Sequence, residues 1–459
     1  MRSGTFFVFI RQPCGQEAAI GMRKNEFGKY VSLSILGMLG SSGTILADTF
    51  FVSNRLGADG LAALNLSIAV FGLINGLGML FGIGGATRYT IFRSQEDGAG
   101  ADRVFTAALL SALASGLCFL SAGLFWPETI ARALGAEGHL LPLCTAYLKT
   151  VLCFAPCFIL NHLLMAFLRN DGNPRLAMCA MLAGSLANIA LDYLFVYPLD
   201  MGLFGAALAT GLAPVIGLAV SSLHIVTGRA RFHLTRDGLR LRELGRNIGP
   251  GLSACVNECS SGMVLMVFNL LLLRTAGSTG VAAYGIVANL ALVVLSVFTG
   301  MSQGIQPLLS RAYGRGDRKE TAALLRKGLV LSGGVGLAVL TTALLAAPTL
   351  VSWFNSEGDP LLQSLAEEGL RLYFLGFLCV GYNYLTAAFL SATERAGAAC
   401  ALSTFRGCVG VTLIACLFAW CFGVTGIWLA FPVVELATAL LGRLVQRRRT
   451  AAAPEGLCA

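Results

Sequence analysis

The chain has 459 residues, 56% of them hydrophobic and 12% charged, with a mean hydropathy of +0.74. A soluble domain carries roughly 25% charged residues, so a soluble fold is excluded, and apolar runs of roughly 20 residues or more exclude the alternating strands of a membrane barrel. The net charge of +9 collects in short connections between those runs, which points to membrane topology rather than to a nucleic-acid partner.

Residues 1–27 read as a cytoplasmic lead-in. The stretch TFFVFI is too short for a signal peptide and no cleavage site follows it. Met22 is a candidate start, because MRKNEFGKYV is a basic approach to the first apolar run. Twelve helical segments then follow, near 30–53, 61–90, 104–126, 140–168, 174–197, 203–227, 248–273, 281–310, 328–351, 367–392, 398–421 and 426–445. Each is long enough to cross about 30 Å of hydrocarbon.

Even-numbered connections are basic: Arg93 and Arg103, Arg169 and Arg175, Arg229 to Arg246, and Arg311 to Lys319. Odd-numbered ones are sparse or acidic, as with Glu357 and Asp359. The positive-inside rule therefore expects both termini in the cytoplasm, which an even helix count requires.

The second half repeats the first at an offset of about 220 residues. Gly57 pairs with Gly277, Gly60 with Gly280, Ala63 with Ala283, Gly84 with Gly304 and Gly205 with Gly426. Six helices per half keep both halves in one orientation. The expected fold is all-α and integral to the membrane: twelve transmembrane helices in two pseudo-symmetric six-helix lobes, 28–235 and 236–450, with a tail at 451–459. A substrate cavity between parallel repeats is the transporter arrangement.

An Asp at the centre of a membrane helix costs roughly 2.5–3.5 kcal/mol on insertion, so each deep acid calls for a reason. In the first segment Ser34, Ser41, Thr44 and Asp48 form a polar stripe. In the fifth, LANIALDYLF places Asn188 and Asp192 four apart on one face. The short turn YPLDMGLFG brings Thr210 of the sixth segment to a similar depth. Two carboxylates, an amide oxygen and a hydroxyl suit a hard cation; the same carboxylates could hold a proton. The bland alternative is that these polar groups only fix helix packing.

The seventh segment carries Asn257 and Glu258 in PGLSACVNECSSG, a second candidate centre in the other lobe. Gln303 and Gln306 in GMSQGIQP either line the cavity or cap a helix end. His162 reads as a packed residue rather than a proton relay. Glu435, near the end of the last segment, is expected to be satisfied by Arg443 or interfacial water. Arg88 and Arg406 are expected to snorkel or pair at the cytoplasmic side. The cysteines of the apolar runs, among them Cys118, Cys153, Cys157, Cys179, Cys255, Cys259, Cys400, Cys408 and Cys416, read as small apolar core residues. No phosphate-binding G-x-x-x-x-G-K-[ST] run occurs, so an ion gradient is the expected energy source.

GNPRLAM (172–178), NIALDYLF (188–195), GLFGAALAT (202–210), ADTFFVSNRLG (47–57) and GMSQGIQPLLSRAYG (300–314) together resemble the MATE family, the multidrug and toxic compound extrusion transporters, over residues 28–445. The resemblance implies a twelve-helix, two-lobe antiporter of the superfamily that also contains lipid-linked sugar flippases. It implies a cation, Na⁺ or H⁺, held by Asp48, Asn188, Asp192 and Thr210. In another branch a helix-7 Glu, matched by Glu258, works with a helix-10 Asp. That Asp is absent here, where Tyr382 and Asn383 stand, so Glu258 is expected to attract cationic substrates instead.

The expectation is thus a cation-coupled antiporter exporting amphipathic, cationic organic compounds from the cell by alternating access. It would be a monomer in the cytoplasmic membrane, with lipid around it, no cofactor beyond the coupling ion, and no nucleic-acid partner. A lipid-linked sugar or polysaccharide-precursor flippase is the alternative; it would favour a basic cavity, whereas the deep charges are mainly acidic. A membrane enzyme would need a clustered catalytic constellation, and the sequence offers none.

Overall fold

The computed structural model describes residues 26–236, 241–355 and 358–450. The lead-in up to residue 25, the Met22 start and the tail 451–459 lie outside the described residues. Twelve spanning helices follow from the apolar runs: α1 (Glu26–Gly57), α2 (Ala62–Ser94), α3 (Gly98–Phe125), α4 (Leu140–Cys153 and Ala155–Asn170, bent by 45°), α5 (Pro174–Val196) and α6 (Gly202–Val226). The second half holds α7 (252–277), α8 (278–314), α9 (Arg318–Ser352), α10 (Pro360–Ala392), α11 (396–423) and α12 (424–450). Several begin earlier than hydropathy predicts, because the capping side chain sets a helix start and not the first apolar residue. Asp97 accepts from the Gly100 amide at 2.8 Å ahead of α3, and Asp317 from the Glu320 amide at 2.8 Å ahead of α9.

The internal repeat extends to backbone angles. Gly57, at the α1–α2 corner, has φ 65° and ψ −151°; Gly277, at the α7–α8 corner, has φ 67° and ψ −156°. Gly202 and Gly423, which open α6 and α12, have φ of 60° and 59°. Residues with a Cβ are strained in this region, so the same corner at both ends of the repeat calls for glycine.

Each half has its own apolar core. The first is centred on Phe105, Phe158, Phe167 and Leu148, the second on Phe298, Tyr373, Phe377, Trp428 and Phe431. The segment after α6 is tied to the first lobe: Phe232 sits among Tyr89, Phe105 and Phe167, and the Arg231 amide donates to buried Asp171 at 2.9 Å.

The halves touch through two symmetry-related crossings. At Gly84 of α2 a Cβ would lie 2.4 Å from the Asn247 carbonyl and 3.2 Å from Gly251 N; at Gly304 of α8 it would lie 2.8 Å from both the Tyr30 carbonyl and Val31 Cα. Hydrogen bonds and ion pairs across the halves also gather toward this end: Gln306 with Thr87 and Asn170, Arg311 with Tyr30 and Glu26, Arg88 with Asn247 and Glu394. Farther along, Ile45, Phe50, Met266 and Leu270 are exposed. The lobes thus meet at the end carrying Tyr30, Gly84 and Gly304, and a cleft widens toward the end carrying Gly57 and Gly277.

Candidate cation site and inter-lobe cleft

Close helix packing builds the first-lobe site. A Cβ at Gly40 of α1 would fall 2.6 Å from Leu182 of α5, so α1 lies directly on α5. One turn later the Thr44 hydroxyl donates to the Ser185 carbonyl at 3.4 Å. At Gly184 of α5 a Cβ would stand 3.0 Å from the Ala213 carbonyl of α6. These approaches stack Asp48, Asn188, Asp192 and Thr210 around one space.

Asn188 and Asp192 are 1% and 0% exposed. The Asn188 amide nitrogen donates to Asp192 Oδ2 at 3.2 Å, and its oxygen accepts from the Thr210 backbone N–H at 3.2 Å. The Thr210 hydroxyl donates to the Ala206 carbonyl at 2.9 Å. Asp192 Oδ1 and Asp48 Oδ1 are both buried without a hydrogen-bond partner among the described residues. The two carboxyls lie within electrostatic reach of one another. Buried polar atoms are rarely left unpaired, so two orphaned carboxylate oxygens within electrostatic reach of each other suit a cation or a proton.

Two contributors escaped sequence reasoning. Tyr147 of α4 lies beside Thr210 and within electrostatic reach of both aspartates; nothing in the sequence around it signals this. Pro214 lies inside α6 and has no N–H to offer the Thr210 carbonyl four residues back, which frees a further oxygen beside the site. That signal was present in the sequence. Ser34, by contrast, leaves the expected stripe. It is buried where α1 crosses Gly300 of α8, because the neighbour facing that side of α1 changes along its length.

In the second lobe, half-buried Glu258 backs onto Gly72 of α2, and the described residues give its carboxylate no hydrogen bond. Asn257, Gln303 and Gln306 line a cavity at the narrow base of the cleft. Gln306 does more: its amide donates to Thr87 at 2.7 Å and to Ser310 at 3.1 Å, and accepts from Asn170 at 3.1 Å. Asn383 borders a smaller adjoining cavity.

The expected partner of Glu435 is wrong. Arg406 of α11 supplies Nε to Glu435 Oε1 at 2.6 Å, and Asn383 donates to Oε2 at 2.6 Å. Arg443 instead lies over the Tyr382 ring at 5.7 Å. It is eight residues beyond Glu435 on one helix, about 12 Å along the axis, and only another helix could reach a buried carboxylate. Arg406, stacked on Tyr384 at 4.3 Å, turns inward to this pair. Arg88 pairs with Glu394 at 3.5 Å, and His162 packs on α2 with Nε2 at 3.2 Å from Asn75 Oδ1. The cysteines are less buried than expected. Cys118, Cys179, Cys259 and Cys416 are exposed on helix surfaces, where hydropathy alone cannot tell lipid from core.

The MatE family model matches the chain twice, over residues 34–194 and 254–417, once per lobe. The chain belongs to the MATE family. These are multi-pass membrane transporters rather than enzymes. The Multidrug export protein MepA of Staphylococcus saprophyticus is 26% identical over 431 residues, spanning 92% of this chain and 94% of that one. MepA of Staphylococcus aureus is 27% identical over 391 residues, 84% of this chain and 85% of that one. Among solved structures, the outward-facing conformation of a MATE family transporter of the MOP superfamily superposes with a TM-score of 0.87 at 25% identity, covering 93% of this chain and 96% of the other. A MOP superfamily transporter from Pyrococcus furiosus, described as having a binding pocket of reverse polarity, superposes at 0.86 with 25% identity and the same coverage. The MATE transporter described here shares with them the two-lobed, twelve-helix architecture.

Proposed function

We propose that this MATE transporter is a cation-coupled antiporter that exports amphipathic, cationic organic compounds across the cytoplasmic membrane. The observation that carries the reading is the pair of orphaned carboxylate oxygens on Asp48 and Asp192, held beside Asn188, Thr210 and Tyr147. Na⁺ would take these oxygens as ligands; H⁺ would sit on one carboxyl and let it donate to the other. With both termini cytoplasmic, the cleft that widens toward Gly57 and Gly277 faces outward, and the seam at Gly84 and Gly304 is the closed inner gate. The MepA relatives support export of drug-like compounds. Glu258 offers a cationic substrate an unpaired carboxylate on the cleft wall.

Ion uptake changes the charge between α1, α5 and α6, and exchange follows if ion and substrate favour different conformations. The test is dye efflux from proteoliposomes, driven by an inward Na⁺ gradient or by a pH gradient, for wild type beside Asp192→Asn. One gradient should drive wild type, and the variant should lose gradient-driven efflux by about a hundredfold, as expected when a coupling rather than a packing group is removed. Equal transport by the variant would remove the first-lobe carboxylates from the mechanism.

A further inference from the structure

The base of the cleft carries a charge that cation export does not use. Arg169, in the last turn of α4, is 6% exposed. Its side-chain hydrogen bond among the described residues is a weak one, Nη1 to Met181 Sδ at 3.9 Å. None of the ion pairs among the described residues includes it; Arg406, which lines the adjoining cavity, is already neutralised by Glu435. Arg169 lines a small cavity of about 50 Å³, room for several waters or one small anionic group. The wall opposite is made of Ser253, Asn257, Ser302 and Gln303 from α7 and α8, and Tyr384 from α10.

Burying a guanidinium away from a counter-charge is expensive in a membrane protein. The dipole at the end of α4 favours a cation there, but far more weakly than the lost solvation disfavours it. The hydroxyls and amides on the opposite wall are donors suited to oxygen acceptors, and a guanidinium binds such groups in a fork. No carboxylate among the described residues fills that fork. The missing counter-charge is therefore one that comes and goes.

We propose that the cavity between Arg169 and the Ser253, Asn257, Ser302 and Gln303 side chains receives the anionic oxygen group, a carboxylate, sulfonate or phosphate, of an amphiphile, with Arg169 as the residue that selects for that anion. The inference rests on the reading of the cleft as a substrate path.

The test compares two dyes that differ only at one carboxyl: rhodamine B, a zwitterion, and its cationic ethyl ester. Their binding to the purified transporter in phosphatidylcholine nanodiscs is read by fluorescence anisotropy, for wild type, Arg169→Gln and Arg169→Lys. Arg169→Gln should weaken rhodamine B about tenfold and the ester by no more than about twofold, with Arg169→Lys between. Sodium benzenesulfonate should displace rhodamine B from wild type and leave the ester bound, a result that needs no variant. Equal losses for both dyes, or benzenesulfonate displacing neither or both, would overturn the proposal. If phosphatidylglycerol displaces rhodamine B from wild type, the site stands and its natural anion is a lipid headgroup. If the ester is bound and exported while rhodamine B ignores Arg169, this inference fails alone. If neither dye binds wild type, the substrate-path reading falls and takes the inference with it.

Discussion

Asn188 and Asp192 sit on one helix face by spacing alone, and the structure places them at 1% and 0% exposure with Thr210 beside them. Such a pair is legible because a helix fixes the i,i+4 relation before any tertiary contact forms. Glu435 is the counter-case. The sequence pointed to Arg443 on its own helix or to interfacial water, and Arg406 on α11 supplies the charge at 2.6 Å instead. Removing one member of a buried ion pair strands the other and costs about 3–5 kcal/mol. Arg406→Met and Glu435→Gln should therefore each lower the unfolding temperature strongly, and the double variant should lose less than the sum of the two. Thermal unfolding of the detergent-solubilised protein, taken as a double-mutant cycle, checks this. Additive losses would mean that the 2.6 Å contact carries no coupling.

At the scale of helices, apolar runs located every span, while capping residues decided where the helices begin. Asp97 and Asp317 start α3 and α9 ahead of the apolar window, since a cap satisfies backbone N–H groups regardless of hydropathy. The repeat shows more strongly in backbone angles than in side chains. Gly57 and Gly277 share φ near 65° although their surroundings, LGADG and AGSTG, agree only in part. Gly277→Ala should destabilise the fold by about 1–3 kcal/mol, since a Cβ is strained there. No atom lies within 4 Å of its would-be Cβ, so the cost is conformational rather than a clash. Gly285→Ala, with equally open space and no positive φ, is the control. A like effect at both positions, in parallel melting curves, would refute the backbone argument.

Across the whole molecule, two separate cores meet through thin seams, which is what a rocking transporter needs. The seam includes a buried polar latch of Gln306, Thr87, Asn170 and Ser310. The Gln306 bonds to Thr87 and Asn170 exist only while the lobes are together at this end, so they stabilise one conformation over the other. Replacing Gln306 with Leu keeps the bulk and removes the bonds that Thr87 and one Asn170 N–H make to it across the lobes, while Asn170 keeps its bonds to Thr90 and the Ala166 carbonyl. It should shift the balance by about 1–3 kcal/mol, roughly tenfold to a hundredfold, toward the state with this end open. Hydrogen exchange read by mass spectrometry would then quicken at residues 28–36 and 300–310, where α1 crosses α8. Unchanged exchange there would mean the glycine crossings alone hold the seam.

Legible in the sequence alone were the membrane solvent, the twelve spans, the doubled architecture and the Asn188–Asp192 pair. Each follows from hydropathy, periodicity or repetition, which are written locally along the chain. The folded chain was needed to show that Arg406 and not Arg443 meets Glu435, that Tyr147 lies beside Thr210, that Ser34 faces α8, and that Arg169, at the base of the cleft, has no counter-charge among the described residues. Those contacts join residues on different helices, and a partner across a helix interface depends on crossing geometry and on which glycines let two backbones approach.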